Sequence, residues 1–278
     1  MKSQKELAVE QRLMELTKEI IDITPEEGDL PLMVIRDLIE DKEIQAVQDY
    51  ANRVAISRLN FNDHGPVHMR TVCRNALKML KILYNARVET SLQRDQIGSF
   101  DDSVTAVALA AFCHDLGMSI GRQDHELYSG ILAYNIIDRI LLKNLPNAED
   151  LQRRVTIRSM AMEGILGHMG TRKIHSIEAG LILIADGCDM TKGRARIPLE
   201  VHPEPKIGDI HKYSANSIDH VMITKGEEKP IKIMVTMSAE VGLFQIEEVL
   251  LPKINSSPAR HLVELFAGVE GQAVKRYM

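Results

Sequence analysis

The stretch Val104–Gly117 constrains this chain most. An apolar run from Val104 to Cys113 ends abruptly in His114-Asp115, with Gly117 two residues on. A run this long and this apolar belongs in the interior. A carboxylate at its end costs several kcal/mol unless it is paired, hydrogen-bonded or bound to a metal. Gly117 is expected to let the chain leave the helix, the common place for glycine just past a helix end. The polar pair is therefore expected at the mouth of a core, not on a solvated face.

The rest of the chain supports a mainly α fold. Leu7, Leu13, Leu16, Ile20 and Ile23 recur at helical spacing, and similar stretches open at Pro31 and near Asp41. A helix is expected from Pro66, capped by Asn62 or Asp63, to about Leu83, with His68 on its apolar face. Residues 85–102 read as a polar loop with frayed helix, and Asp101 or Asp102 is expected to start the next helix. Asp124 is expected to cap a helix over 125–143, and further helices are expected over 148–167 and 175–190. Aromatic residues make up 4% of the chain, there is no Trp, and Met reaches 14, so the core must come from Leu, Ile, Val, Ala and Met, which suits helices.

Residues 192–206 hold a glycine and three prolines and mark an expected boundary. This divides the chain into a helical domain over 1–200 and a small α+β subdomain over 206–278. In the latter, Ile218–Thr224 and Ile231–Ser238 read as strands of a hairpin, while 242–255 and 259–266 read as helical.

Charge and composition exclude several classes. The net charge of −5 does not suit a protein that coats nucleic acid. No stretch approaches the ~20 apolar residues that span a bilayer. Cys73, Cys113 and Cys188 lack paired metal spacing and read as reduced core residues of a cytoplasmic protein. Charge is uneven, however. Between Arg153 and Arg196 stand eight Lys/Arg against four Asp/Glu, so a basic surface is expected there.

Few polar residues fall on the apolar faces: His68, His114, Asp115, His125, His168, His175 and Asp186. Imidazoles with carboxylates suit a divalent ion such as Mn, Mg, Fe, Zn, Co or Ni. His175 stands three helical turns before Asp186 and competes with His168 as a ligand. Asp189, one turn past Asp186, is expected to orient a ligand or cap the helix.

In order, His68-x-x-x-Val72, His114-Asp115-x-Gly117, His125-Glu-Leu-Tyr-Ser-Gly130, Ile165-Leu-Gly-His168 and Ala185-Asp186-x-x-Asp189 resemble the HD superfamily of metal-dependent phosphohydrolases. The resemblance spans about Arg36 to Arg196. It implies an HD-type helical bundle in which His68, His114, Asp115 and Asp186 hold one metal ion. It implies that His125 and His168 hold a second, with Asp115 bridging the two. His64-Gly-Pro-Val-His68 resembles the His-Asn-x-x-His element of the cyclic-nucleotide phosphodiesterases of that superfamily, which implies a proton-donating His64; Gly65 replaces the Asn. Met118 replaces a common lysine, and the Gly-Tyr-Pro segment of the cyclic-di-GMP branch is missing after His168.

The expected activity is thus hydrolysis of a phosphomonoester or phosphodiester of a small substrate, a nucleotide, by a metal-activated water, with Asp115 and His64 as catalytic residues. Lys192, Arg194 and Arg196 are expected to grip phosphate oxygens. Two alternatives stand beside it. One is a diiron oxygenase of the same superfamily. The other is a non-catalytic binding or regulatory protein stapled by metal. A helical body with a small mixed end is also compatible with a homo-oligomer.

Overall fold

A computed structural model describes residues 2–25, 28–59, 61–191 and 210–278. Among the described residues nine α-helices come first: α1 (Gln4–Ile23), α2 (Leu30–Glu40), α3 (Lys42–Arg53), α4 (Pro66–Asn85), α5 (Ser91–Arg94), α6 (Phe100–Cys113), α7 (His125–Asn144), α8 (Leu151–Gly167) and α9 (Ile177–Cys188). After α10 (Ile210–Asn216) a four-stranded sheet closes the chain, built from β1 (Ile218–Lys225), β2 (Ile231–Met237), β3 (Val263–Val269) and β4 (Lys275–Arg276). The protein is mainly helical with a C-terminal mixed sheet. No helix among the described residues is long and apolar enough to cross a membrane.

The apolar run becomes α6, and every one of its residues is buried. It packs against α2, α4, α8 and α9, so the bundle is wrapped around it. Ser99, rather than Asp101 or Asp102, caps this helix. Its hydroxyl accepts the N–H of Asp102, and the Asp102 carboxylate returns a bond to the Ser99 N–H. The helical part of the polar stretch before it is the short α5, which a capping box of Thr90 and Gln93 starts. Gly65 occupies the N-cap of α4, with Asp63 Oδ1 accepting its N–H at 2.7 Å. Asp124 stands at the N-cap of α7 but in the left-handed region, at φ +52°, with no capping bond from its side chain.

Gly117 has a different purpose from the one its position suggests. It does not adopt a left-handed conformation. A Cβ there would lie 2.0 Å from the carbonyl oxygen of His125 and 2.6 Å from the Ser129 amide nitrogen. The first turn of α7 packs directly on the backbone at this point, and the Gly117 N–H donates to Ser129 Oγ at 2.8 Å. Gly117→Ala is therefore expected to cost roughly 1–3 kcal/mol of stability. It should also push His125 away from Asp115. Thermal melting, with metal content measured in parallel, checks both.

The sheet runs β1-β2-β3-β4, antiparallel, then parallel, then antiparallel. The parallel β2–β3 pair needs a long crossover. Helical turns between Leu243 and Leu250, followed by α11 (Leu251–Ser256), supply it. The expectation of a helix over 259–266 is wrong. Pro258–Leu262 form a single 3-10 turn, after which β3 pairs with β2 from Ile231↔Val263 to Met237↔Val269. The local sequence fits either state. The free edge of β2 decides, because pairing satisfies the backbone groups of both strands while Val263, Leu265 and Ala267 enter the core.

Helices and sheet share one continuous apolar core. β1 lies against α4, and α11 lies against α9. Residues 192–209, where the domain boundary is expected, lie outside the described residues.

Candidate metal centre

Five helix ends deliver side chains to one buried spot. His68 comes from the first turn of α4, and His114-Asp115 from the exit of α6. His125 opens α7, His168 closes α8, and Asp186 sits in the last turn of α9. The four imidazoles are buried, with relative exposure of 0–1%.

Asp115 stands between two groups. Its Oδ2 lies 3.3 Å from His68 Nε2 and 3.4 Å from His114 Nε2. Its Oδ1 lies 3.2 Å from His125 Nε2 and 3.4 Å from His168 Nε2. Asp186 Oδ1 joins the first group, 3.2 Å from His68 Nε2 and 3.9 Å from His114 Nε2. Donor atoms about 2.1 Å from a shared ion would be ~3.0 Å apart at right angles and ~3.4 Å apart in a tetrahedron. All of these separations but the 3.9 Å one between Asp186 and His114 fit that range.

The protonation pattern is equally informative. His114 Nδ1 faces the Ala111 carbonyl at 2.8 Å, His125 Nδ1 the Arg122 carbonyl at 3.0 Å, and His168 Nδ1 the Ile165 carbonyl at 2.7 Å. His68 Nδ1 faces Asp189 Oδ2 at 2.7 Å. A carbonyl or carboxylate only accepts, so each Nδ1 carries the proton and donates it. The neutral ring then points a lone pair from Nε2 into the centre. Nε2 atoms meet at 3.2 Å between His68 and His114 and at 3.1 Å between His125 and His168. Two lone pairs at that distance repel, and a cation between them removes the repulsion. These buried His/Asp groups could hold a metal ion.

Electrostatics keep the donors in ligating form. Burial would raise the Asp115 carboxyl, but its surroundings, His114 first and then His125 and His168, hold it well below the usual carboxylate range. Burial acts likewise on Asp186, and there the Lys253 ammonium, then His68, overcome it. Burial pushes His168 down to about 4, against the pull of Asp115, so this ring is neutral at pH 7.

Asp189 orients His68 from outside the centre, as its place one turn beyond Asp186 suggested. Asp189→Ala is expected to weaken metal binding about 10–100-fold, since a ring freed from its acceptor no longer holds Nε2 in line. Competition with a chromophoric chelator measures it.

His64 lies beside the first group, its ring centroid 5.9 Å from that of His68, with Nδ1 2.6 Å from the Asn62 carbonyl. His175 is exposed and away from the cluster, its backbone N–H bonded to Glu163. Lys192, Arg194 and Arg196 lie outside the described residues.

Sequence reasoning missed two cations. Lys253 of α11 contacts Asp186 Oδ2 and donates to the His168 carbonyl at 2.9 Å, so the C-terminal part reaches the centre. Nothing in its local sequence marks it. Arg122 is half-buried, 3.4 Å from His125 Nε2, with its guanidinium over the Phe61 ring at 5.7 Å. Its signal was faint: a basic residue in the loop three positions before an expected ligand.

Fold and site together define a mainly helical protein with a buried cluster of imidazoles and carboxylates arranged as two adjoining donor groups. Over 241 residues, 87% of this chain and 90% of the relative, it is 42% identical to MJ1020 of Methanocaldococcus jannaschii, itself described as uncharacterized. The chain belongs to the family of that protein. No family model matches it, and no solved structure does.

Proposed function

We propose that the chain is a metal-dependent phosphoric ester hydrolase of the HD superfamily, acting on a small phosphorylated molecule, a nucleotide, in the cytoplasm. One observation carries this reading: Asp115 turns one carboxylate oxygen to each of two imidazole pairs whose Nε2 lone pairs converge. His68, His114, Asp115 and Asp186 would hold one divalent ion, and Asp115, His125 and His168 a second. Divalent ions bound there would neutralise phosphate charge and lower the pKa of water towards 7.

The chain's own residues do the rest. Asp115 keeps the two groups in register. His64 is the proton donor for the departing oxygen: its Nδ1–H is spent on the Asn62 carbonyl, so Nε2 delivers the proton. Imidazole is the side chain that most often takes this part near neutral pH. Arg122 lies beside the second group, where a guanidinium can meet charge on the phosphoryl oxygens. Lys192, Arg194 and Arg196 are proposed to add further grip.

The test has two measurements. Metal analysis of protein purified without added ions is expected to give about two equivalents, one for each donor group. A panel of p-nitrophenyl phosphate, its bis ester and common nucleotides, with manganese, is expected to release phosphate or nucleoside, and chelator should stop it. Stoichiometric iron with oxygen uptake and no ester cleavage would point to the oxygenase instead. Protein without bound metal would remove the proposal.

A further inference from the structure

A separate cavity of 320 Å³ lies behind His68, walled by α1, α4, the end of α9 and β1. His68 and Asp189 line it on the side of the metal centre, and Lys5, Arg12 and Arg74 bring positive charge from the other walls. Arg74 is half-buried. Burial, and then the like charge of Arg12, both work against its ionised form, with Asp189 the opposing influence.

Two guanidinium groups and an ammonium face one hollow, Lys5 and Arg12 exposed and Arg74 half-buried. Among the described residues, Lys5, Arg12 and Arg74 form no ion pair; Arg74 only reaches Asn75 Oδ1 at 3.4 Å. The wall also carries two carboxylates, Asp63, which accepts the Gly65 N–H, and Asp189, which accepts from His68 Nδ1, so among the described residues its three cations exceed its carboxylates by one. Asn75 is buried, and its Nδ2 makes no hydrogen bond among the described residues.

We propose that this cavity is an oxyanion subsite that takes a phosphate or phosphoryl group, forked by Arg12 and Arg74 and assisted by Lys5 and Asn75. Guanidinium donors match phosphate oxygens in bidentate fashion. The volume is at the small end of ligand pockets, about 300–1,000 Å³, which excludes a macromolecule. No Phe, Tyr or Trp lines it, so it has no platform for a base and reads the anion alone. The anion is either a free phosphate or a second phosphoryl group of the substrate.

The test is calorimetric titration of the full chain with inorganic phosphate and with pyrophosphate. Three proteins are compared: wild type, Arg12→Gln/Arg74→Gln, and Asp115→Ala, which disables the metal centre. Affinity is expected to survive Asp115→Ala and to fall on the order of tenfold or more per arginine removed. Equal affinity in wild type and the arginine variant would overturn the proposal. So would binding lost in Asp115→Ala and kept in the arginine variant, since phosphate would then bind at the metal face alone. Arg12→Lys/Arg74→Lys, checked by melting, should recover part of the affinity, which a folding defect would not allow. Turnover separates the two sources: a raised KM at constant kcat assigns the group to the substrate, and loss of the response to free phosphate at constant KM assigns it to an effector. The binding measurement stands even if the chain cleaves no ester, so failure of the hydrolase reading and failure of this subsite are distinguishable.

Discussion

Asp115→Ala is expected to empty both donor groups at once. Each oxygen of this carboxylate serves a different imidazole pair, so one truncation removes an anionic donor from each. Metal content should fall from about two equivalents to near none, and ester cleavage by about a thousandfold. The latter follows from several kcal/mol of charge stabilisation at tenfold per ~1.4 kcal/mol. His125→Ala is the informative companion, because it touches only the second group. It should leave the ion held by His68, His114, Asp115 and Asp186. Retention of one full equivalent in Asp115→Ala would refute a bridging role. Elemental analysis and single-turnover assays read the two effects.

The second large effect lies outside the site. Arg70 is fully buried in α4 and ties three helices together. Its Nε donates to Glu10 of α1 at 2.7 Å, its Nη1 to Gln48 of α3 at 2.7 Å, and its Nη2 to Gln45 at 2.9 Å. Glu6 approaches it at 3.3 Å, and its guanidinium also lies over the Phe112 ring. Arg70→Met would leave the buried Glu6 carboxylate without its cation and Glu10 with only the Lys2 ammonium. Breaking such a pair from one side costs about 3–5 kcal/mol. At this chain length that lowers Tm by on the order of 10 °C. Adding Glu6→Gln and Glu10→Gln to Arg70→Met should restore much of the loss, because the unpaired charges are then gone. A scanning calorimeter measures all three proteins. No rescue would mean that the guanidinium acts through packing on Phe112 and not through charge.

Much of the candidate site was legible because its donors carry their own contrast. An imidazole and a carboxylate at the end of an apolar run are conspicuous, and Asp186 stands out near the end of a second apolar helix. His168 and His175 were not separable by sequence, because both flank the same break. The turn after α8 decides, leaving His168 inside and His175 exposed. Lys253 was invisible for a different reason. A lone lysine in a short helix gives no hint of direction, and only the packing of α11 on α9 brings its ammonium to Asp186. Gly117 was marked as special, but for a helix exit; that the backbone of α7 lies where its side chain would be is a fact of packing.

The sequence by itself determined most of the helical segments of the bundle, which of their faces turn inward, and which polar side chains those faces must carry into the interior. Periodicity and desolvation cost act locally, so they can be read one segment at a time. The tertiary structure alone decided that 263–269 pairs as a strand, that Arg122 and Lys253 reach the cluster, and that Asp115 faces two pairs of rings with separate oxygens. Those outcomes depend on distances between residues far apart along the chain, and such distances exist only once the helices have packed.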